Sequence, residues 1–253
     1  MLQIIIPMAG AGSRFAVAGY NDPKPLIQVH GVPMIKVVIE NLTPVRDHKF
    51  IFICQADHVS KYGLHEKLNS WAPGCEIVEL DGLTEGAACT VHAAKHLINN
   101  NNPVMIANSD QYVDIDINGY LETMDVADAD GLIMTMKADD PKWSFVGFNK
   151  EGKINRVVEK EVISDEATVG IYNFRSGRQL IKAIETMFEK DLRVNGEFYV
   201  APAYNEIIKE GALILNYSVG SEGKGMYGLG IPSDLELFLS LPVSKKAVSG
   251  EAS

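Results

Sequence analysis

A short apolar stretch that runs into a glycine-rich turn constrains the fold of this chain more than any other feature. Residues 2–8 are apolar and rich in isoleucine, which is typical of a parallel strand buried on both faces. The turn begins where this strand stops and reads Gly10-Ala11-Gly12-Ser13-Arg14-Phe15. Successive backbone N–H groups without intervening side chains form a concave site for phosphate oxygens. The stretch therefore predicts a phosphate-binding loop at the end of a buried strand.

Two cations accompany this loop. Arg14 carries a permanent charge and a forked set of donors. Lys24 lies between Pro23 and Pro25, which restrict the backbone and keep the preceding residues out of a helix. A loop stiffened in this way can aim one ammonium group at one place, so both cations are predicted to bind phosphate. A Walker loop is excluded because no Gly-Lys-Ser or Gly-Lys-Thr follows, and the dinucleotide fingerprint fails because Phe15 replaces its third glycine.

The overall charge narrows the possible partners. A net charge of -10 argues against nucleic acid and against an anionic membrane surface, so a phosphate ligand must be met by a few local cations and a divalent metal. The chain has no basic leader and no apolar run of ~18 residues, and we expect a cytoplasmic protein. No metal-ligand spacing relates the three cysteines, which indicates free thiols in a reducing compartment: Cys54, Cys75 and Cys89.

Strand and helix patterns alternate along the first half of the chain. The predicted strands are 2–8, 49–54, 76–80 and 104–107, separated by helical patterns at 32–42, 57–71 and 87–98. This alternation predicts a three-layer α/β fold with a mostly parallel mixed sheet, which binds ligands at the carboxyl ends of its strands. From residue 128 strands dominate. We expect one domain, residues 1–243, with a nucleotide-binding half at 1–127, an acceptor-binding half at 128–243 and a flexible tail at 244–253.

Asp110 follows the predicted strand 104–107, at the same sheet edge as the glycine loop. A hard oxygen ligand there could hold Mg²⁺, or Mn²⁺ in its place, between the phosphates of a nucleotide. The competing interpretation is an aspartate that caps a turn after a strand. Its position favours the metal.

The run at residues 10–15, taken together with Pro23-Lys24-Pro25, resembles the signature of the nucleotidylyltransferases, also called pyrophosphorylases. These enzymes join a nucleoside triphosphate to a phosphorylated small-molecule acceptor, and the resemblance spans nearly the whole chain. It implies a Rossmann-like nucleotidyltransferase fold. It also implies Arg14, Lys24, Asp110 and Lys160 as catalytic residues. The nucleotide-binding residues it implies are Ala9, Gly10, Ala11, Gly12, Ser13, Gln55, Gly86 and Ala87.

The same resemblance suggests the acceptor site and the metal site. Val158-Glu159-Lys160-Glu161 is similar to an element of the family in which the lysine binds the acceptor's phosphate. The acceptor-binding residues are then Lys160, Gly170, Tyr172 and Glu197. A second metal aspartate of the family is replaced here by Gly228. Asp234 is the candidate second ligand beside Asp110, although an aspartate at a helix start is also explained by capping.

Two further patterns suggest the substrates. Residues 142–145 and 196–202 look like those of cytidylyltransferases from bacterial surface-polysaccharide gene sets, and are most similar to CTP:phosphoglutamine cytidylyltransferases of capsule phosphoramidate synthesis. The resemblance implies CTP as donor. Two alternatives stay open, a sugar-1-phosphate nucleotidylyltransferase and a non-catalytic nucleotide-binding regulator. The sequence predicts no oligomeric state.

Overall fold

The structure is a computed structural model that describes residues 1–10 and 12–249. Its strands, numbered in chain order, are β1 Leu2–Pro7, β2 Gln28–Val29, β3 Val32–Pro33, β4 His48–Gln55, β5 Glu76–Leu80, β6 Val104–Ala107, β7 Gln111–Val113, β8 Gly131–Lys137, β9 Ser144–Phe148, β10 Ile154–Glu159, β11 Glu166–Phe174, β12 Ile214–Glu222 and β13 Gly225–Gly228.

The α-helices are α1 Ser13–Val17, α2 Met34–Leu42, α3 Ala56–Tyr62, α4 Leu64–Trp71, α5 Ala87–Ala93, α6 Lys95–Ile98, α7 Ile117–Val126, α8 Gly177–Glu189, α9 Tyr204–Lys209, α10 Pro232–Ser240 and α11 Pro242–Ser249. Two short 3-10 helices span Lys24–Leu26 and Ala201–Ala203. Within residues 1–10 and 12–249, no helix combines the length and the apolar content that crossing a membrane requires.

One large mixed sheet forms the middle of the molecule. Its order is β5-β4-β1-β6-β11-β8-β12-β13-β7, with β9 pairing β11 and β10 pairing β9. The strands from β5 to β6 are parallel, whereas β11 runs antiparallel to β6 and β8. The predicted α/β fold is confirmed, and the parallel ladders lie in the half that carries the glycine loop.

Helices cover both faces of this sheet. Ile4 and Ile6 of β1 face a core shared with α2, α3, α4 and α7, while Ile5 faces a core shared with α5, α6, α8 and α9. All three isoleucines are fully buried. Burial of each such side chain is worth about 1.5–3 kcal/mol, which is why β1 has no polar face.

A third, smaller core lies under the glycine loop. Phe15 of α1 is 1% exposed and packs in one cluster with Leu235 and Phe238 of α10. The ring of Phe15 also meets Tyr20 edge to face, with ring centroids 5.1 Å apart. These contacts fix the start of α1, and with it the loop, to the end of the chain.

Helix α11 includes residues 244–249, the first part of the segment predicted to be a flexible tail. Val243, Ala247 and Val248 pack against the third core. Ser244 is buried, and its hydroxyl lies 2.8 Å from Nε2 of His30. Three apolar side chains on one helix face are enough to hold this short polar segment. Residues 250–253 lie outside the described part of the chain.

Gly177 provides a test of the packing between α8 and the end of α6. A Cβ at this position would lie 1.8 Å from the backbone oxygen of Ile98. We expect Gly177→Ala to lower the free energy of unfolding by about 2 kcal/mol or more, in the range of overpacked cores. Gly82→Ala is the matched control, because no heavy atom lies within 4 Å of its added Cβ. Equal urea midpoints for the two variants would contradict this packing.

Candidate functional site

A cleft of about 460 Å³ opens at the carboxyl ends of β1 and β6. One wall is the glycine loop, the second is the turn before α5, and the floor is the segment that follows β6. The lining residues are Pro7, Met8, Ala9, Gly10, Lys24, Pro25, Leu83, Thr84, Gly86, Ala87, Thr90, Asn108, Ser109, Asp110 and Glu197. Ligands of open α/β sheets bind at this edge.

The glycine loop continues β1 into the cleft. The amide of Met8 donates to the Ile53 carbonyl (2.9 Å), so the parallel ladder extends to the start of the loop. Gly12 has φ 61°, a left-handed conformation that favours glycine, and precedes α1. A Cβ on Gly12 would lie 3.5 Å from Cβ of Lys24, so the loop and the lysine segment are close neighbours. Ala11 lies outside the described residues.

Ser13 and Arg14 form the first turn of α1, and both are exposed. Neither residue is in the cleft lining, so the guanidinium predicted to meet phosphate is not part of the cleft wall.

Lys24 is aimed into the cleft by the 3-10 helix that it begins. Pro23 has φ -62°, and its carbonyl accepts from the amide of Leu26 (2.8 Å), which closes this turn. Nζ of Lys24 lies 2.7 Å from Oδ2 of Asp110, and each side chain is 23% exposed. The sequence predicted these two charges on one sheet edge, and they form an ion pair there.

Asp110 lies against a glycine-containing segment at residues 228–230. Its carbonyl accepts from the amide of Leu229 (2.8 Å), and a Cβ on Gly230 would lie 2.6 Å from its Oδ2. A Cβ on Gly228 would lie 3.5 Å from Oδ2 of Asp234. The two candidate metal ligands therefore lie against the same three residues.

This donor set fits Mg²⁺. Within the described residues no group of three or more His, Cys, Asp or Glu side chains could enclose a metal ion. Mg²⁺ is ordinarily bound by one or two carboxylates, with phosphate oxygens and water completing the octahedron. Asp110 and Asp234 are carboxylates, the kind of oxygen ligand that Mg²⁺ takes, and Asp110 lines the open cleft.

The second wall depends on the absence of a side chain at Gly86. This residue has φ 123°, and a Cβ on it would lie 2.5 Å from the carbonyl oxygen of Phe198. The Phe198 carbonyl accepts from the amide of Ala88 (3.0 Å), and the Phe198 amide donates to the carbonyl of Glu85 (2.8 Å). The turn at residues 84–88 is thus joined directly to a segment from the second half of the chain.

Two threonines of this wall were missed by sequence reasoning. The hydroxyls of Thr84 and Thr90 lie 2.6 Å apart, and both contact the carbonyl oxygen of Gly86. They hold the start of α5 in place beside the cleft. Their spacing across a glycine turn is the signal that could have identified them.

Gln55 reaches the loop rather than the cleft. Its side-chain amide donates to the carbonyl oxygen of Ala9 (2.5 Å), and Gln55 is not among the lining residues. The contact holds the backbone of the loop against the end of β4.

Lys160 lies beyond the cleft lining, on the side of Glu197. It adopts a left-handed conformation with φ 58°, and its Nζ donates to the phenol oxygen of Tyr199 (2.8 Å). This hydrogen bond raises the pKa of Lys160. The neighbouring Glu159 is 8% exposed and accepts from the Ser144 hydroxyl, and burial raises the pKa of Glu159.

Gly170 and Tyr172 lie on β11. A Cβ on Gly170 would lie 2.0 Å from Nδ2 of Asn108, so the cleft residue Asn108 occupies the space over this glycine. Tyr172 is 8% exposed, its hydroxyl lies 2.9 Å from that of Thr168, and burial raises its pKa. Tyr172 packs into the core with Tyr204, where their ring centroids are 6.1 Å apart.

The cleft lining thus contains seven of the predicted site residues, namely Ala9, Gly10, Lys24, Gly86, Ala87, Asp110 and Glu197. The predicted residues outside it are Gly12, Ser13, Arg14, Gln55, Lys160, Gly170, Tyr172 and Asp234. Asn108 and Ser109 were missed, although their position directly after β6 is the signal that identified Asp110.

Residues 3–198 match the family model described as Nucleotidyl transferase, and the chain belongs to this family. The protein is therefore a nucleotidyltransferase. In structure it is similar to a nucleoside-diphosphate-sugar pyrophosphorylase from Vibrio cholerae RC9, at 26% identity and a TM-score of 0.77, over 94% of this chain and 100% of that one.

Two more distant structures share the fold. A UDP-glucose pyrophosphorylase complexed with UDP-glucose is 16% identical, with a TM-score of 0.76 over 97% of this chain and 99% of that one. The inositol-1-phosphate CTP transferase from T. maritima is 15% identical, with a TM-score of 0.71 over 99% of this chain and 98% of that one. The fold thus accompanies more than one donor and acceptor.

Gly230 gives a test of the position of Asp110. We expect Gly230→Ala to displace the Asp110 carboxylate, because the added Cβ would lie 2.6 Å from Oδ2. If Asp110 has the predicted role, a displacement of about 1 Å costs roughly 100-fold in turnover. The end of a side chain can move this far without unfolding the protein. Gly119→Ala on α7 is the control, since its added Cβ also faces a carboxylate oxygen, Oδ2 of Asp116, but at 3.4 Å and away from the cleft lining. Pyrophosphate release and thermal melting are measured, and equal rates for both variants would contradict the geometry.

Proposed function

We propose that the protein transfers a cytidylyl group from CTP to the phosphate of a small-molecule acceptor and releases pyrophosphate. The acceptor we propose is phosphoglutamine, and the role is in capsular polysaccharide modification. The observation that carries the reaction class is the ion pair of Lys24 and Asp110 in a cleft between the glycine loop and the Gly86–Ala87 turn. A phosphate-binding wall, a placed cation and a placed carboxylate are the parts that nucleotidyl transfer needs.

The reaction needs alignment and charge neutralisation more than proton transfer. An oxygen of the acceptor phosphate attacks the α-phosphorus, a new P–O bond forms, and the bond to the β-phosphate bridging oxygen breaks. That oxygen leaves as part of pyrophosphate. Because the acceptor phosphate is already ionised near neutral pH, no general base is required.

Lys24 is assigned to the phosphates of the donor. In the structure its ammonium is paired with Asp110, and a triphosphate in the cleft would offer it a second, more highly charged partner. Arg14, in the helix that follows the glycine loop, would bind the outer phosphates. Ser13 and the backbone of residues 9–12 would supply N–H donors to the same oxygens.

Asp110 and Asp234 would hold the metal. When bound there, Mg²⁺ or Mn²⁺ neutralises phosphate charge and orients the α-phosphoryl group. The replacement of a family aspartate by Gly228 leaves space that the Asp234 carboxylate borders, since a Cβ added to Gly228 would lie 3.5 Å from its Oδ2. Asp234 is accordingly our proposed second ligand.

The base and the acceptor are assigned to the other wall. Gly86 and Ala87 would lie against the nucleoside, and Gln55 would support the opposite wall through its bond to Ala9. On the acceptor side Lys160 would bind the attacking phosphate, and Glu197 would contact the rest of the acceptor from the cleft lining. Gly170 and Tyr172 would shape this side from β11.

CTP and phosphoglutamine are supported by the sequence patterns at 142–145 and 196–202. A sugar-1-phosphate nucleotidylyltransferase is the second candidate, favoured by the 26% identity to a nucleoside-diphosphate-sugar pyrophosphorylase over 94% of the chain. The missing aspartate at Gly228 favours a third candidate, a nucleotide-binding regulator without turnover.

We further propose a reducing compartment, the cytoplasm. Cys54, Cys75 and Cys89 are free thiols, and burial raises the pKa of Cys54 to about 12, which keeps it protonated and unreactive. Neither nucleic acid nor a membrane is proposed as a partner, given the net charge of -10.

A substrate panel separates the three candidates. CTP, UTP and dTTP are each combined with phosphoglutamine, glucose 1-phosphate and inositol 1-phosphate in the presence of Mg²⁺, and products are identified by mass spectrometry. We expect the highest rate with CTP and phosphoglutamine. A higher rate with a sugar 1-phosphate would replace our acceptor with the second candidate. Nucleotide binding without product from any pair would support the regulator.

Lys24→Ala tests the assignment of the ammonium group. We expect turnover to fall by roughly 100-fold or more, because a fixed charge that acts on the developing phosphate charge is removed. The melting temperature should change little, since Lys24 is partly exposed. The control is Lys36→Ala, which removes another exposed ion pair, with Glu40 at 3.6 Å on α2. An unchanged rate of pyrophosphate release in Lys24→Ala would refute the assignment.

A further inference from the structure

Residues 193–199, here called the linking segment, lie between the nucleotide wall and the acceptor side of the cleft. The segment is closed on itself by a pair of backbone hydrogen bonds between Val194 and Glu197, both 3.0 Å. Asn195 and Gly196 adopt left-handed conformations in this tight turn, and both are exposed. The mechanism described above uses Glu197 of this segment and leaves its other side chains unexplained.

Arg193 joins the linking segment to the turn before α5. Its Nη2 donates to the Glu85 carboxylate (2.8 Å), its Nη1 to the carbonyl of Gly196 (3.1 Å), and its Nε to the Asp191 carboxylate (2.6 Å). The guanidinium carbon lies 4.1 Å from the ring centroid of Phe198. The planar guanidinium group donates to three acceptors and stacks on an aromatic ring at the same time. A lysine ammonium group lacks the fork and the planar face that this arrangement needs.

The backbone repeats this connection. The amide of Phe198 donates to the Glu85 carbonyl (2.8 Å), and the amide of Ala88 donates to the Phe198 carbonyl (3.0 Å). Because a Cβ on Gly86 would lie 2.5 Å from that carbonyl, the two strands of chain are in direct contact. The turn that we assign to the nucleoside and the linking segment are therefore one packed unit.

The other end of the segment reaches the acceptor side. The phenol oxygen of Tyr199 accepts from Nζ of Lys160 (2.8 Å), and Glu197 lines the cleft. A continuous set of contacts thus runs from Glu85 and Ala88, through Arg193 and Phe198, to the lysine that we assign to the acceptor phosphate.

We propose that Arg193 is a positioning residue that couples occupancy of the nucleotide wall to binding of the acceptor. The proposal rests on the proposed function. A nucleotide against Gly86 and Ala87 immobilises the turn at 84–88. Because Arg193 and Phe198 are bonded to this turn, the linking segment becomes ordered as well, including Tyr199 and its partner Lys160. The acceptor then binds a segment that is already ordered, so its affinity rises when the nucleotide is present. Such coupling is reciprocal between the two ligands.

The kinetic test compares Arg193→Ala and Arg193→Lys with wild type. We expect the acceptor KM at saturating CTP to rise about 10-fold in Arg193→Ala, within the usual range of coupling between two sites. CTP affinity measured without acceptor should stay within about 2-fold, because the coupling acts only when both sites are used. Arg193→Lys should recover part of the loss, since it keeps the charge beside Glu85 and loses the fork and the stack.

The matched control is Lys182→Gln, which removes an exposed ion pair with Glu210 (2.6 Å) outside the cleft. It should leave the acceptor KM unchanged. If Arg193→Ala lowered kcat and both affinities together with the melting temperature, the role would be structural and the coupling would be refuted. An unchanged acceptor KM would refute it as well.

Hydrogen exchange tests the coupling without turnover. On addition of CTP and Mg²⁺ without acceptor, we expect increased protection of amides in residues 193–199 of wild type and none in Arg193→Ala. No added protection in wild type with CTP, UTP or dTTP would overturn the inference. Absence of pyrophosphate release from wild type with every acceptor would instead contradict the proposed function, so the two failures are distinguishable.

Discussion

Strand β1 is hydrogen-bonded on both sides by parallel strands, and this constraint determines where the functional groups can lie. Ile5 is in register with Ile51 of β4 and with Ile106 of β6. The three strands therefore end at the same edge of the sheet, where Gln55 ends β4 and the glycine loop and Asp110 follow β1 and β6. Since β1 is buried on both faces, a shift of register would move polar loop residues into the core. The site is placed by the core of the sheet.

One positive and one negative side chain, Lys24 and Asp110, are paired in the cleft of this acidic protein. Lys24 and Asp110 are each 23% exposed, and an ion pair of such exposure contributes only modestly to stability. In the function that we propose, a modest attraction is useful, because the Lys24 ammonium group can then turn from the Asp110 carboxylate towards a phosphate oxygen of the ligand. A fully buried ion pair would hold the ammonium group too tightly for this change of partner. Without Asp110, nothing would hold the Lys24 side chain in one direction. Because the protein has a net charge of -10, binding of a triphosphate as we propose would depend strongly on the Lys24 ammonium group.

Features that arise within one stretch of chain were predictable from the sequence, and features that arise between distant stretches were not. The apolar run of β1 and the Pro23-Lys24-Pro25 brace place their groups by local rules. The contact of Phe198 with Gly86 depends on tertiary packing, which no local pattern shows.

Helix α7 was missed although Asp116 caps it through the amides of Asn118 and Gly119, because its surrounding residues carry a weak apolar pattern. Helix α11 was missed because it has few apolar residues. Their role is visible only from their packing against the third core.

The two halves of the chain share the cleft more closely than a division at residue 127 would suggest. Gly230 of the second half lies against the carboxylate of Asp110 in the first half, and Asp234 lies beside Gly228. The backbone of Phe198 occupies the space where any residue other than glycine at position 86 would place its Cβ. The antiparallel pairing of β13 with β7 brings Gly228 opposite Gln111 and so delivers the late glycines to that edge. A nucleotide bound in the first half, as we propose, would therefore touch structure built by the second half. This shared construction is the physical basis of the coupling that we propose between the donor and the acceptor.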